Sequence, residues 1–139
     1  MTGSKKKLIL FTDDDEDDFL LLRDLFKESN QDVELRWAKD GEEALDFLRR
    51  QENPKPFLIL LDLNMPKLNG REILKQVRSH KELCHIPVIV LTNSMNRQEA
   101  VEVYQSGANS FIRKPSGYKD LREFVRVFYK YWFDYSLLV

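Results

Sequence analysis

A doubly wound α/β fold, five parallel strands with helices on both faces, is what this chain predicts, and two observations carry the expectation. Five short apolar runs alternate with five stretches whose apolar residues recur at helical spacing. Three of those runs, Leu8-Ile9-Leu10-Phe11, Phe57-Leu58-Ile59-Leu60-Leu61 and Val88-Ile89-Val90-Leu91, are apolar without alternation, as strands buried on both faces are. Right-handed crossovers between parallel strands then place helices over both faces.

The elements follow in order. The strand Leu8 to Phe11 leads through an acidic loop, Asp13 to Asp18, into a helix marked by Phe19, Leu22, Leu25 and Phe26. Val33, Leu35 and Trp37 alternate as in a strand, Asp40-Gly41 turns the chain, and Ala44, Leu45 and Leu48 mark a second helix closed by Pro54 and Pro56. The strand Phe57 to Leu61 precedes a loop, Asn64 to Gly70, and a third helix with Ile73, Leu74 and Val77. Pro87 introduces Val88 to Leu91, and the next helix carries Ala100, Val101 and Tyr104 and ends at Gly107, a favourable C-terminal stop. A short strand, Ser110 to Arg113, then Lys114-Pro115, precedes a long last helix from about Tyr118.

Composition bounds the function. The chain has 139 residues, enough for one domain spanning 1–139, and 42% hydrophobic against 32% charged residues is the balance of a chain that buries a core. A net charge of −1 gives no general attraction to nucleic acid or to an anionic membrane, and Lys5 to Lys7 read as a solvated start. Cys84 has no second cysteine to pair with, and with only His80 and His85 near it forms no zinc set, so a partly buried, inert thiol is expected. No apolar run approaches the roughly 20 residues that span a bilayer, and there is no secretory leader pattern, which together point to a cytoplasmic protein.

In a sheet of this kind ligands collect outside the carboxyl ends of the strands. That edge receives Asp13 and Asp14 from the first strand, Asp62 from the third, Thr92 from the fourth and Lys114 from the fifth. Taken singly, Thr92 is a strand-end hydroxyl, Lys114 a solvated lysine and Asp15 to Asp18 acids that complement a helix dipole. Together they form a site. Three carboxylates at one edge repel one another unless a proton or a hard cation lies among them. Magnesium, with manganese as the alternative, suits carboxylate oxygens and phosphate. Lys114 adds a positive charge, Thr92 a neutral donor, and the remaining carboxylate a nucleophile for phosphorus.

The segments Leu10-Phe11-Thr12-Asp13-Asp14-Asp15, Leu60-Leu61-Asp62-Leu63-Asn64-Met65-Pro66 with Asn69-Gly70, Val90-Leu91-Thr92, and Phe111-Ile112-Arg113-Lys114-Pro115 resemble the receiver domains of bacterial two-component response regulators, over nearly the whole chain and in order. The resemblance implies the flavodoxin-like strand order 2-1-3-4-5 and Asp62 as the phosphoacceptor. It implies that Asp14, Asp62 and the Asn64 carbonyl hold magnesium, with Asp13 acting mainly through a water. It implies that Lys114 contacts a phosphoryl oxygen, that Thr92 and Phe111 form the switch pair, and that the Lys114-Pro115 bond is cis. The acidic loop resembles that of small stand-alone receivers serving phytochrome-type kinases. Two departures concern the lifetime of the acyl phosphate: Asn93 stands where many receivers carry a small residue, and Asn64 and Ser94 flank the site.

In the last helix Leu121, Phe124, Val125, Phe128, Trp132 and Tyr135 form one apolar stripe, while Val127, Tyr131 and Phe133 add bulk on other faces. From Tyr118 to Ser136 it would run about 28 Å as an α-helix, longer than the strands it covers. The surplus suggests a homodimer through the fourth helix, fifth strand and fifth helix, using Tyr104, Phe111, Arg113, Arg122, Phe128, Tyr131 and Trp132. The expected function is a stand-alone response regulator. It takes a phosphoryl group on Asp62 from a histidine kinase or phosphotransfer protein and signals by protein contact, with no DNA-binding segment and no chemistry beyond phosphotransfer and self-dephosphorylation. The alternatives are a haloacid-dehalogenase-type phosphohydrolase, against which Asn64 stands where a second aspartate belongs; a flavodoxin-like nucleotide binder, whose phosphate the acidic loop would repel; and a docking module that is never phosphorylated.

Overall fold

The computed structural model describes residues 6–29, 32–63, 65, 69–93 and 95–139. Five βα units follow one another: β1 (Lys7–Thr12), α1 (Glu16–Ser29), β2 (Val33–Ala38), α2 (Gly41–Arg49), β3 (Leu58–Asp62), α3 (Gly70–Ser79), β4 (Val88–Thr92), α4 (Arg97–Gln105), β5 (Ser110–Arg113) and α5 (Tyr118–Tyr129). The strands form one sheet in the order β2-β1-β3-β4-β5, every pair parallel.

Strand alternation divides the apolar residues between two cores. Leu10, Ile59, Leu61, Val88 and Val90 meet Ala44, Leu45 and Leu48 of α2, Ile73, Leu74 and Val77 of α3, and Val103 of α4. Ile9, Phe11, Leu58, Leu60, Ile89 and Leu91 meet Leu22, Leu25 and Phe26 of α1 and Leu121, Val125 and Phe128 of α5. Phe11 and Phe26 are 0% and 1% exposed, and each such burial stabilises the fold by about 2–3 kcal/mol.

Short-range chemistry sets the helix ends. Asp40, Asn69 and Asn96 each accept the main-chain N–H three residues on and so cap α2, α3 and α4. Gly107 takes φ of 108° after α4, with Gly107 N–H donating to the Tyr104 carbonyl and Ala108 N–H to that of Val103. That is the paired-bond stop in which a glycine relieves the left-handed position.

Arg78, at the end of α3, closes the opposite edge from the strand ends. Its guanidinium donates four hydrogen bonds, to the carbonyls of Gly107, Cys84 and Ile86 and to Asn109 Oδ1, at 2.7–3.1 Å. Asn109 Oδ1 also accepts from Val88 N–H, so one side chain ties α3, the start of β4 and the turn into β5. Arg78→Met keeps the aliphatic stem and leaves those acceptors without their donor. The expected loss is about 3 kcal/mol, read as a lower urea midpoint at unchanged slope; an unchanged midpoint would contradict this role.

The last helix departs from its predicted winding. After Tyr129 it continues as a π-helical stretch, Lys130–Tyr135. The wider turn shifts the apolar phase: Phe133 packs against the core and lies 5.2 Å from the Tyr129 ring, whereas Tyr135 is 74% exposed. A stripe counted at 3.6 residues per turn put these two the other way round. Of the residues expected at an interface, Tyr104, Arg113, Arg122 and Tyr131 are exposed and Trp132 is half-buried. Phe128 is corrected: at 4% exposure it belongs to the chain's own core, edge-on to Phe26 at 6.0 Å. Phe111 is half-buried and packs against the first core.

Two further expectations are corrected. Cys84 is exposed, not partly buried, because the short turn after α3 buries Leu83 and Ile86 instead. Lys114-Pro115 is trans, no described peptide bond being cis, and Lys114 reaches the site from the trans backbone. Among the described residues no helix is long and apolar enough to cross a membrane.

Candidate functional site

The carboxyl edge of the sheet carries the acidic residues. Asp13, directly after β1, is 0% exposed. Its amide donates to the Ala38 carbonyl at 3.1 Å, its Oδ1 accepts from Asp15 N–H at 2.9 Å, and its Oδ2 accepts from Lys114 Nζ at 2.5 Å. Asp14 is exposed, and Asp62, the last residue of β3, is half-buried. One carboxylate oxygen from each of Asp13, Asp14 and Asp62 lies within 4.8 Å of the others. An all-oxygen set with this much crowded negative charge fits a hard divalent cation.

Lys114 follows β5 and spans the site from the other side. Besides Asp13, its ammonium pairs with Asp18 at 2.8 Å. Burial works against the charged ammonium, but hydrogen bonds to Asp13 and Asp18 outweigh it and hold the lysine above its usual pKa, hence charged. Burial pushes the Asp13 carboxyl upward, opposed by the Lys114 hydrogen bond and the Asp15 amide. Thr92 ends β4 and is fully buried, and its carbonyl accepts the Lys114 amide at 2.7 Å. The lysine and the threonine therefore share one stretch of paired backbone. Phe111 lies on the same strand pair, opposite Val90, and its amide donates to the Tyr104 hydroxyl of α4.

Asn69-Gly70, read from sequence as loop geometry, contributes more than a turn. A Cβ on Gly70 would stand 2.9 Å from the Asp62 carbonyl and 3.0 Å from Leu63 Cα, so only glycine lets α3 start against the backbone of Asp62. Beside the site a groove of about 400 Å³ opens between Asp18, Leu21, Asn93, Lys114, Pro115 and Tyr118.

The structure thus brings together Asp13, Asp14, Asp62, Thr92 and Lys114. Asn64 and Ser94 lie outside the described residues. Two contributors were not read from the sequence. In sequence Asp18 reads as an acid that complements the helix dipole, and only its place in the first turn of α1 hints that it faces Lys114. Trp37 was read as a strand residue, yet its indole N–H donates to the Asp13 carbonyl at 2.8 Å.

Residues 9–126 match the family model of the response regulator receiver domain, and the chain belongs to that family, the receivers of two-component signalling in which an aspartate is phosphorylated. Among its relatives is the response regulator Rcp1 of Synechocystis sp., 37% identical over 136 residues, 95% of this chain and 92% of the relative. The chemotaxis protein CheY-3 of Vibrio cholerae is 35% identical over 74% of this chain and 73% of its own length. Solved structures give the same fold. The Mn(2+)-bound form of Rcp1 aligns with a TM-score of 0.87 at 36% identity over 96% of this chain and 99% of that one. The phosphorylated cyanobacterial phytochrome response regulator RcpA aligns with a TM-score of 0.89 at 32% identity over 96% and 98%.

Proposed function

We propose that this chain accepts a phosphoryl group on Asp62 and relays the change by protein contact. The observation that carries the reading is the convergence of Asp13, Asp14 and Asp62 with Lys114 and Thr92 at one sheet edge. In the step itself an Asp62 oxygen attacks phosphorus, an O–P bond forms, and the bond to the leaving group breaks, its electron pair departing with imidazole nitrogen or acetate. By the family resemblance Asp14, Asp62 and the Asn64 carbonyl would hold Mg2+ or Mn2+ directly and Asp13 would serve mainly through a water, and the carboxylate oxygens of Asp13, Asp14 and Asp62 that lie within 4.8 Å of one another suit such a cation. A bound divalent cation neutralises charge on the phosphoryl oxygens.

Lys114 releases its carboxylate partners to meet a phosphoryl oxygen, and the Thr92 hydroxyl closes on another. By the family resemblance Phe111, which lies on β5 opposite Val90, would follow Thr92. The test is intact-mass spectrometry after incubation with acetyl phosphate and Mg2+, wild type against Asp62→Asn.

The donor in this reading is a sensor histidine kinase of phytochrome type, supported by the likeness to RcpA, and the compartment is the cytoplasm. The partner surface is a second copy of the chain. Val127, 51% exposed, and Tyr131, 56% exposed, line a mostly apolar groove of about 440 Å³ on β5, α5 and the π-helical stretch, and Tyr104, 51% exposed, stands on α4. Sedimentation velocity across a wide concentration range is expected to show dimer, with Tyr131→Glu shifting the wild-type equilibrium to monomer. Monomer throughout, with and without phosphorylation, removes the dimer from this reading.

A further inference from the structure

Asp13 sits where the ladder between β1 and β2 stops. Its amide still reaches across to the Ala38 carbonyl, the last residue of β2. A ladder that ran on would serve the Asp13 carbonyl with a main-chain N–H from the neighbouring strand. The chain turns away after Ala38, and the indole N–H of Trp37 takes that place at 2.8 Å. The indole is itself fixed. It stacks on Phe19 at the start of α1, with ring centroids 5.6 Å apart and planes 13° from parallel, and the Arg23 guanidinium lies 5.9 Å from the Phe19 centroid on the same helix.

The Asp13 carbonyl belongs to the peptide that joins Asp13 to Asp14. Holding that peptide plane fixes where both carboxylates leave the backbone, and both contribute oxygens to the cluster with Asp62. We infer that Trp37 is a positioning residue for divalent-cation binding: its indole N–H sets the Asp13-Asp14 peptide so that the acidic loop meets Asp62 ready for the cation. This rests on the reading of Asp13, Asp14 and Asp62 as the cation site. It adds a residue from a strand that supplies no ligand, and it makes the cation's affinity depend on an aromatic pair between β2 and α1.

The test is a calorimetric titration of Mg2+ into the wild-type chain and into Trp37→Phe, which keeps a ring against Phe19 and removes the donor. One hydrogen bond is worth a factor of about three to ten, so Trp37→Phe is expected to weaken Mg2+ by that factor. Its phosphorylation rate at saturating Mg2+ is expected to stay within about twofold of wild type, since affinity and not the chemistry is what a single lost positioning bond changes. A purely structural role would instead lower the melting temperature in chelator and slow phosphorylation at every Mg2+ concentration.

A second variant covers the case in which Trp37→Phe does not fold. The chain has two tryptophans, and Trp132→Phe leaves Trp37 as the sole emitter. Its emission is expected to change on adding Mg2+, with the same midpoint as the calorimetric curve. Wild-type binding with no change in Trp37 emission, or with equal affinity in Trp37→Phe, overturns the role of Trp37 and leaves the cation site standing. No Mg2+ binding by the wild type overturns the site and the inference with it.

Discussion

Asp62→Asn is expected to take up no phosphoryl group from acetyl phosphate, while the wild type gains one with Mg2+ present and none when Mg2+ is chelated beforehand. The substitution keeps the shape of the side chain and replaces a carboxylate nucleophile by an amide, whose oxygen does not attack phosphorus at a useful rate. The variant should fold. Removing one of three carboxylates whose oxygens lie within 4.8 Å of one another relieves repulsion, so its melting temperature in chelator should rise above that of the wild type. Divalent-cation affinity should fall at the same time, because a ligand is lost. An adduct of undiminished yield on Asp62→Asn would move the phosphoacceptor to another residue. A lower melting temperature would mean that Asp62 is held by a favourable contact stronger than the repulsion it suffers.

Lys114→Met carries the second large effect. The side chain keeps an unbranched stem, but the ammonium that pairs with Asp13 at 2.5 Å and with Asp18 at 2.8 Å is gone. Asp13, 0% exposed, then loses the cation that restrains its charge among the described residues. Breaking one side of such a pair costs about 3 kcal/mol.

The pH dependence follows from the sign of the Asp13 shift. Burial already holds its folded pKa above the usual 3.8, and Lys114 is what restrains it; without the lysine it rises further. A folded carboxyl with a raised pKa binds more protons than the unfolded chain between the two values, so stability falls as pH rises through that window. Melts of Lys114→Met taken from about pH 4 to pH 8 should therefore show a steeper decline than the wild type. Saturating Mg2+ should recover part of the loss by placing positive charge near Asp13. Parallel profiles for the two proteins would show that Asp13 does not depend on Lys114.

The site was legible because two separate regularities meet at it. Continuous apolar runs located the strands, and the rule that parallel strands deliver their carboxyl ends to one edge joined Asp13, Asp14, Asp62, Thr92 and Lys114 across a hundred residues. The contributions of Asp18, Trp37 and Arg78 were not legible, for a common reason. Each acts through one side chain that crosses to another element, and neither periodicity nor spacing encodes which way a long side chain reaches. The winding after Tyr129 was missed because a count at 3.6 residues per turn presupposes the helix it is used to find; the π-helical stretch exchanged Phe133 and Tyr135 between core and solvent. Cys84 was placed on average tendencies for its residue type, and the turn that holds it buries its neighbours instead.

The start of β1 and the end of the last helix meet at the edge of the sheet opposite the acidic cluster. Lys7 Nζ lies 3.1 Å from Asp32 and 5.2 Å from the Phe133 centroid, and the Tyr129 hydroxyl donates to Asp32. Six residue steps along β1 lead from that anchorage to Asp13, a span of about 20 Å. The molecule carries its acidic cluster at one pole and can be handled at the other. A dye pair attached near Lys7 and Phe133 would sit side by side, clear of any docking kinase at the acidic edge, and would report fraying of the last helix as a loss of energy transfer while phosphorylation proceeds undisturbed.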